Sequence, residues 1–290
     1  MSLPVGPDFI CIGMQKAGTG WAYDQLQYHP DFWMPPIKEL HYLDREKPAL
    51  RKIDKMLGRH EMLAARARSP QRQRKLARDL AFLREIKAAK RKKMDLERYA
   101  SFFRFKDDKM TGDVSPSYSL MKEDVIARVV AQFPHVKFVL LLRDPVTRTW
   151  SHFQMKHRGD KMDDPSALQD PDHFAALLKE SRIYRVSAVA TVVRKWSKLV
   201  PEGRFRHFFF DDLVADPAQL RRSILAFLGA DPTLESELDP KHNQKAKRAK
   251  FEMSPEIRSV LIEQFADELR EAAALLGGHA AKWAEKYGVR

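Results

Sequence analysis

The chain has 290 residues, 44% hydrophobic and 31% charged, with 52 Lys/Arg against 39 Asp/Glu and a formal net charge of +13. That length can bury a full α/β core in one domain, and no apolar run approaches the ~20 residues of a membrane span. The single cysteine, Cys11, excludes an internal disulfide and fits a reducing compartment, and zinc-ligand spacing is absent, so no metal is expected. Residues 1–7 carry neither the basic n-region nor the apolar h-region of a secretory signal, so the expected location is cytoplasmic. The charge is concentrated. The stretch 45–98 holds 19 Lys/Arg against 7 Asp/Glu, leaving 33 and 32 elsewhere.

In chain order, Phe9–Gly13 is an apolar run rich in β-branched residues, as a buried parallel strand would be. A short loop with Lys16, Gly18, Thr19 and Gly20 follows, and Trp21 to Tyr28 can wind into a helix. Strand, glycine-bearing turn and helix N-terminus together make an anion site. Gly13 to Thr19 has the glycine spacing of a Walker A loop. However, Thr19 stands where the lysine belongs, and the loop's lysine is Lys16. The alternative is a tight turn without a ligand.

Asp31–Met34 reads as a short strand, and Pro35-Pro36 forces an extended approach to the segment 37–44. In an extended segment Glu39, His41 and Leu43 share a face, presenting a carboxylate beside an imidazole. The alternative is a solvated Glu39 and a satisfied core histidine. Residues 45–98 read as an inserted basic pair of helices, broken at Ser69-Pro70, with Leu76, Leu80 and Leu83 at helical spacing. Its charge is either an ordinary solvated face or a field that attracts anions.

Residues 109–118 suggest a short strand ending in a polar turn at Ser115–Ser117, and 122–132 an amphipathic helix. Val136–Leu142 is the strongest strand pattern, and its continuous apolarity places it at the sheet centre. Arg143 leaves the C-terminal end of that strand, where open α/β sheets place ligands. Pro145 suits the first turn of the next helix, and Ser151 lies two turns on, so one phosphate could touch both Arg143 and Ser151. Tyr184–Leu199 reads as one helix, Phe205–Phe210 as another buried strand, and 217–228 as a helix stopped by Gly229. Lys241–Lys250 is a basic loop, and Ser254 caps a long C-terminal helix. Strands alternating with helices imply a parallel sheet covered on both faces.

With these segments in view, the sequence resembles the sulfotransferase family that uses 3′-phosphoadenosine 5′-phosphosulfate (PAPS). It is most like the branch with the heparan sulfate sulfotransferases and their bacterial relatives. The matching motifs are Q-K-A-G-T-G-W at Gln15–Trp21, K-E-L-H-Y-L-D at Lys38–Asp44 and D-V-S-P-S-Y at Asp113–Tyr118. L-L-L-R-D-P-V-T-R-T-W-S-H-F spans Leu140–Phe153, and N-Q-K-A-K-R spans Asn243–Arg248. All five occur in family order. The resemblance implies a P-loop-like α/β fold with a central parallel sheet, in a single domain that contains the 45–98 insertion. It implies a 5′-phosphosulfate loop at Lys16, Ala17, Gly18, Thr19, Gly20 and Trp21. The 3′-phosphate site falls on Arg143 and Ser151, the cofactor-covering basic loop on Lys245, Lys247 and Arg248, and the catalytic base on Glu39, with His41 the second candidate.

Three departures stand out. Gly20 occupies a position where Thr or Ser is common, Val114 replaces a lysine of the heparan branch, and Ala246 replaces the usual lysine of the basic loop. The implied activity is transfer of the PAPS sulfuryl group to a hydroxyl of a glycan, lipid or other small molecule, anionic acceptors included. Two other classes stay open. A P-loop kinase would need a lysine at Thr19 and a magnesium carboxylate, for which Asp144 or Asp211 could serve. A nucleic-acid-binding protein would use the basic insertion.

Overall fold

The computed structural model describes residues 6–44, 50–89, 94–159, 170–242 and 252–289. In order, the elements are β1 (Phe9–Gly13), α1 (Thr19–Gln27), α2 (Leu50–Arg66), α3 (Pro70–Ala88), α4 (Leu96–Ser101), β2 (Gly112–Val114), α5 (Glu123–Gln132) and β3 (Lys137–Leu142). They continue with α6 (Pro145–Gly159), α7 (Pro171–Glu180), α8 (Arg182–Ser187), α9 (Val189–Leu199), β4 (Phe205–Phe209), α10 (Phe210–Ala215) and α11 (Pro217–Leu228). The last three are α12 (Pro255–Gln264), α13 (Ala266–Leu276) and α14 (Gly278–Lys286). Single 3₁₀ segments lie at Phe102–Lys106 and Pro116–Leu120.

The strands form one all-parallel sheet in the order β2-β1-β3-β4. Every residue of β1, and Phe138–Leu142 of β3, is buried, because these two strands have sheet on both edges and helices on both faces. The chain leaves β1 toward β2 on one side and β3 toward β4 on the other. The reversal therefore falls between β1 and β3, where an open α/β sheet has its crevice. The loop after β1 and Arg143 after β3 flank that point.

Several helix starts follow from the sequence. Ser69, Asp216 and Ser254 each accept a hydrogen bond from the backbone N–H three residues on, and each is followed by a proline at the first helical position. The Ser69-Pro70 break thus separates α2 from α3. Ion pairs Lys87–Asp54 at 2.7 Å and Arg84–Glu61 at 3.2 Å cross this hairpin. The Trp33 indole N–H donates to buried Asp79 at 3.1 Å and ties the hairpin to the body of the domain.

Other expectations need correcting. Residues 31–34 make only one bridge, Phe32 to Met110, rather than a strand. β4 is an edge strand in which only Phe208 is buried, because one side has no neighbour. The helix expected over Tyr184–Leu199 breaks at Ala188 into α8 and α9. The long C-terminal helix is three, with buried Phe265 turning the first corner and Gly277 and Gly278, at φ 61° and 48°, turning the second. The short helix α10 has no signal in the sequence pattern.

Gly112 shows how tightly the sheet is packed against itself. A Cβ there would sit 2.4 Å from the ring of Phe9, which is buried and paired directly opposite. Gly112→Ala should therefore lower stability by about 1–3 kcal/mol through overpacking, read as a shift of the urea midpoint at constant slope.

Candidate active site

The site lies at the C-terminal edge of the sheet, where β1 ends in Gly13 and the chain turns through Met14–Gly18 into α1. Lys16 and Gly18 both adopt positive φ, 73° and 96°, and Gly18 occupies the N-cap of α1 without a capping side chain. Such alternation can turn amide N–H groups toward one concavity at the positive end of a helix, though the Ala17 N–H is spent within the turn on the Met14 carbonyl at 3.1 Å. A side chain at Gly18 would be strained by its φ and would also press on Leu213 of α10, whose Cδ2 lies 2.9 Å from where a Cβ would be.

Two guanidinium groups hold this turn by its carbonyls. Arg143 Nη1 donates to the Lys16 carbonyl and Arg148 Nη1 to the Gln15 carbonyl, both at 2.9 Å. Arg143 also donates from Nε to Thr147 at 3.3 Å and packs 4.4 Å from the Phe210 ring centroid. Ser151, half-buried, lies one turn of α6 beyond Thr147 and so shares its face. Among the described residues no carboxylate pairs with Arg143 or Arg148 within 4.0 Å. Burial lowers the pKa of both; that of Arg148 falls to about 9, and nearby Arg143 adds to the effect. His152, buried beside Arg148, is pushed down to about 3 by burial and by the charges of Arg148, Lys156 and Lys16. Asp144 and Asp211 act on Arg143 through space and offset part of its desolvation, whereas among the described residues no carboxylate acts comparably on Arg148.

Glu39 and His41 do meet, but not as an extended strand would present them. Both have positive φ, 60° and 51°, so the alternating-face argument fails. The bent backbone brings His41 Nε2 to 3.3 Å from Glu39 Oε2. The other ring nitrogen, Nδ1, faces Asp44 Oδ1 at 3.2 Å and Ser117 Oγ at 2.9 Å. The imidazole therefore spans two carboxylates. Its hydrogen bond to Glu39 is the main reason that the Glu39 carboxyl lies below the ordinary glutamate range.

Asp113, the middle residue of β2, anchors this bent segment. It is fully buried and accepts hydrogen bonds from Ser115 at 2.7 Å, Tyr118 at 2.8 Å and Tyr99 at 3.0 Å. Burial pushes its pKa up against those three donors. The Tyr118 oxygen in turn accepts the backbone N–H groups of Tyr42 at 2.9 Å and Leu43 at 3.2 Å. The Glu39 N–H donates to the Val114 carbonyl at 3.0 Å.

Of the residues expected from sequence, Lys16, Gly18, Thr19, Gly20, Glu39, His41, Arg143 and Ser151 all lie around this edge. Ala17 is there too, with its methyl fully buried. Trp21 is buried, and its indole N–H donates to the Pro240 carbonyl at 2.7 Å, so that donor serves the fold. Lys245, Lys247 and Arg248 lie outside the described residues. Gly20, where a hydroxyl is usual, has the Lys38 ammonium 3.4 Å from the position of a Cβ, so a second cation fills that side of the loop. Asp44, Ser117, Lys38 and Arg148 belong to the same sequence motifs, yet their spacing alone does not show which atoms they reach. Among the described residues no group of three or more His, Cys, Asp or Glu is arranged to hold a metal ion, and no helix is long and apolar enough to cross a membrane.

A parallel sheet with a glycine-bearing turn into a helix after β1 and an arginine after β3 is a P-loop-like α/β fold. Residues 7–234 match the model of the Sulfotransferase family, and the chain belongs to that family. Mouse heparan sulfate glucosamine 3-O-sulfotransferase 3A1 is 24% identical over 226 residues, 77% of this chain and 46% of that protein, so the chain spans about half the length of the curated relative it matches. A sulfotransferase from Alicyclobacillus acidocaldarius shares the fold with a TM-score of 0.61 at 21% identity, covering 96% of this chain and 98% of that one. The sulfotransferase domain from the curacin biosynthetic pathway superposes with a TM-score of 0.51 at 15% identity, over 91% and 99% of the two chains.

Tyr118→Phe should leave the two amides of Tyr42 and Leu43 without their acceptor, at a cost of about 1–3 kcal/mol. Hydrogen exchange at those two amides should accelerate more than exchange in β1, which would localise the damage to the Glu39–Asp44 segment.

Proposed function

We propose that this chain is a sulfotransferase that moves the sulfuryl group of PAPS to a hydroxyl of an acceptor. One observation carries the reading: a cation-rich, carboxylate-free phosphate loop faces the same sheet edge as a hydrogen-bonded Glu39–His41 pair. The residues present fit a donor with two anionic ends. Lys16 and the opening amides of α1 would hold the 5′-phosphosulfate, and Arg143 with Ser151 the 3′-phosphate. An anionic ligand would relieve the desolvation of the arginines around it, because an ion removed from water without a close partner is costly.

Sulfuryl transfer resembles phosphoryl transfer: an in-line displacement with charge developing on the leaving phosphate oxygen. Lys16 and the loop amides meet that charge, a contribution of roughly 3–4 kcal/mol for one well-aimed donor. Glu39 takes the proton of the acceptor hydroxyl. His41, held between Glu39 and Asp44, fixes the Glu39 carboxylate and stabilises its ionised form. A kinase reading is less well supported. Asp144 caps α6 and accepts from Tyr287 at 2.5 Å, and Asp211 accepts the Trp283 indole N–H at 3.0 Å, so both candidate magnesium carboxylates have structural partners. The acceptor would approach past Lys38 and Lys52, since the Lys52 ammonium donates to the Lys38 carbonyl at 2.6 Å and its charge acts on Glu39.

Glu39→Gln should reduce turnover by about 10²–10⁴-fold while binding of adenosine 3′,5′-bisphosphate stays within about twofold. Full activity in that variant would remove Glu39 from the base role. Arg143→Ala should weaken bisphosphate binding by about tenfold or more, because a charge-assisted partner of the anion is lost. Calorimetry without magnesium measures it.

The pH dependence follows from the lowered Glu39 pKa. The base stays ionised on descending pH until below the ordinary glutamate value of 4.5, and the Glu39–His41 contact is lost only as pH falls through the lowered pKa. The acid limb of kcat/KM should therefore lie below pH 4.5. His41→Asn should move it upward. An unmoved limb would show that another group sets it.

A further inference from the structure

Arg148 is the largest charged side chain to be fully buried, with no exposed surface. All of its hydrogen bonds go to neutral groups. Nε and Nη2 donate to Ser187 Oγ at 3.0 and 2.6 Å, Nη2 to the Ile183 carbonyl at 3.1 Å, and Nη1 to the Gln15 carbonyl at 2.9 Å, with His152 Nδ1 at 3.3 Å. A buried guanidinium is ordinarily matched by a carboxylate, and one left unmatched destabilises the fold by several kcal/mol. Its surroundings add to the cost rather than relieve it. Arg143 lies close enough to depress its pKa, and His152 is kept neutral beside it. If Arg148 served only to tie α6 to α8, a neutral side chain with fewer donors would do so without that penalty.

We propose that Arg148 is a positioning residue for donor binding. Its guanidinium fixes the Gln15 carbonyl and places an uncompensated positive charge behind the phosphate loop, which a bound phosphate or sulfate ester neutralises. It does not touch the ligand; the Gln15 peptide stands between. The loop is then oriented from beneath by two arginines with different tasks. Arg143 leaves the strand end on the ligand side. Arg148 acts through the backbone and through its field, which is strong because the site is shielded from water. The proposal rests on the reading of the loop as the phosphosulfate site.

The test separates charge from scaffold in the full-length chain. Arg148→Met removes the charge and keeps most of the bulk; Arg148→Lys keeps the charge and loses most of the cross-link. Ser187→Ala removes an acceptor of Arg148 without altering the charge. Binding of adenosine 3′,5′-bisphosphate is measured by calorimetry, and melting temperature with and without it. Arg148→Met should weaken binding by about tenfold or more and shrink the ligand-induced rise in melting temperature. Arg148→Lys and Ser187→Ala should lower the ligand-free melting temperature, yet bind within about threefold of wild type.

Equal losses in Arg148→Lys and Arg148→Met would overturn the proposal, as would wild-type affinity in Arg148→Met. Should Arg148→Met not fold, the lysine and Ser187 variants decide, because affinity lost in both in step with melting temperature means a scaffold only. If wild type fails to bind the bisphosphate, the donor reading falls. Inorganic pyrophosphate then serves as the probe, and unchanged pyrophosphate affinity in the charge-deleted variant overturns the role of Arg148.

Discussion

The grip of Arg143 and Arg148 on the carbonyls of Lys16 and Gln15 is the interaction on which the rest of the site depends. A peptide whose oxygen is held on one side presents its N–H on the other: the Ala17 N–H, paired with the Lys16 carbonyl, closes the turn on the Met14 carbonyl at 3.1 Å, while the Arg148 contact to Gln15 sets the direction of the Lys16 N–H. Lys16 and Gly18 take positive φ in this turn, and Leu213 packs against Gly18. Both arginines stand on the segment that follows β3. The loop is therefore clamped from the neighbouring strand, across the point where the sheet reverses direction. Among the described residues neither arginine has a carboxylate within ion-pair distance, although Asp144 and Asp211 act on Arg143 through space. On the proposed reading, a bound anion would relieve the repulsion between the two like charges.

The second half of the site hangs from β2 in the same manner. Asp113 is buried one strand away from the phosphate loop and collects three hydroxyl donors, and Tyr118 passes its hold on to the backbone of Tyr42 and Leu43. β1 and β2 pair in parallel, with Cys11 opposite Val114. The loop that follows Gly13 and the segment hung from Val114 thus start from adjacent points on a rigid edge. If the two segments carry the base and the leaving-group site, as proposed, in-line transfer requires a fixed separation between them, and misplacement by an ångström is expensive. Carrying the two on neighbouring strands meets that demand better than either bent segment could alone.

The parallel sheet, the lysine-bearing turn after β1 and the place of Arg143 at the end of β3 were legible because each depends on local pattern: continuous apolarity, glycine spacing, and a residue at a strand end. The Glu39–His41 pair was legible as a pair but not in its geometry. Alternation in an extended strand suggested one face, whereas the actual contact comes from two left-handed backbone conformations that nothing in Lys38–Asp44 signals, since neither residue is glycine or asparagine. Asp113 and Arg148 were hidden for a different reason. Their importance lies in burial and in the absence or presence of partners far along the chain, such as Ser187 or Tyr99, and one-dimensional spacing cannot report either. β4 misled because phenylalanines crowd both faces of an edge strand; composition there reports hydrophobic supply, while exposure is decided by the missing neighbour.

The basic stretch 45–98 shows where a charge count stops being informative. As a total it suggested a surface for an anionic acceptor, but the described part is a helical hairpin, and α2 alone, at 17 residues, extends about 24 Å from its first residue to its last. Lys52 sits at the base, against Lys38 and within the field of Glu39. Arg66, Arg68, Arg72, Arg74 and Lys75 are exposed at the far end, in a stretch from Met62 to Arg78 that contains no acidic residue. Near Asp54 and Glu61 the hairpin's charges pair across its helices, so the unmatched charge gathers at the tip. A small acceptor positioned for Glu39 would meet Lys38 and Lys52 and nothing of the tip. On the proposed reading, only an acceptor about as long as α2, or one carried on a larger acidic body, would engage both ends at once, and acceptor size would then set how much of the chain's positive charge takes part in its recognition.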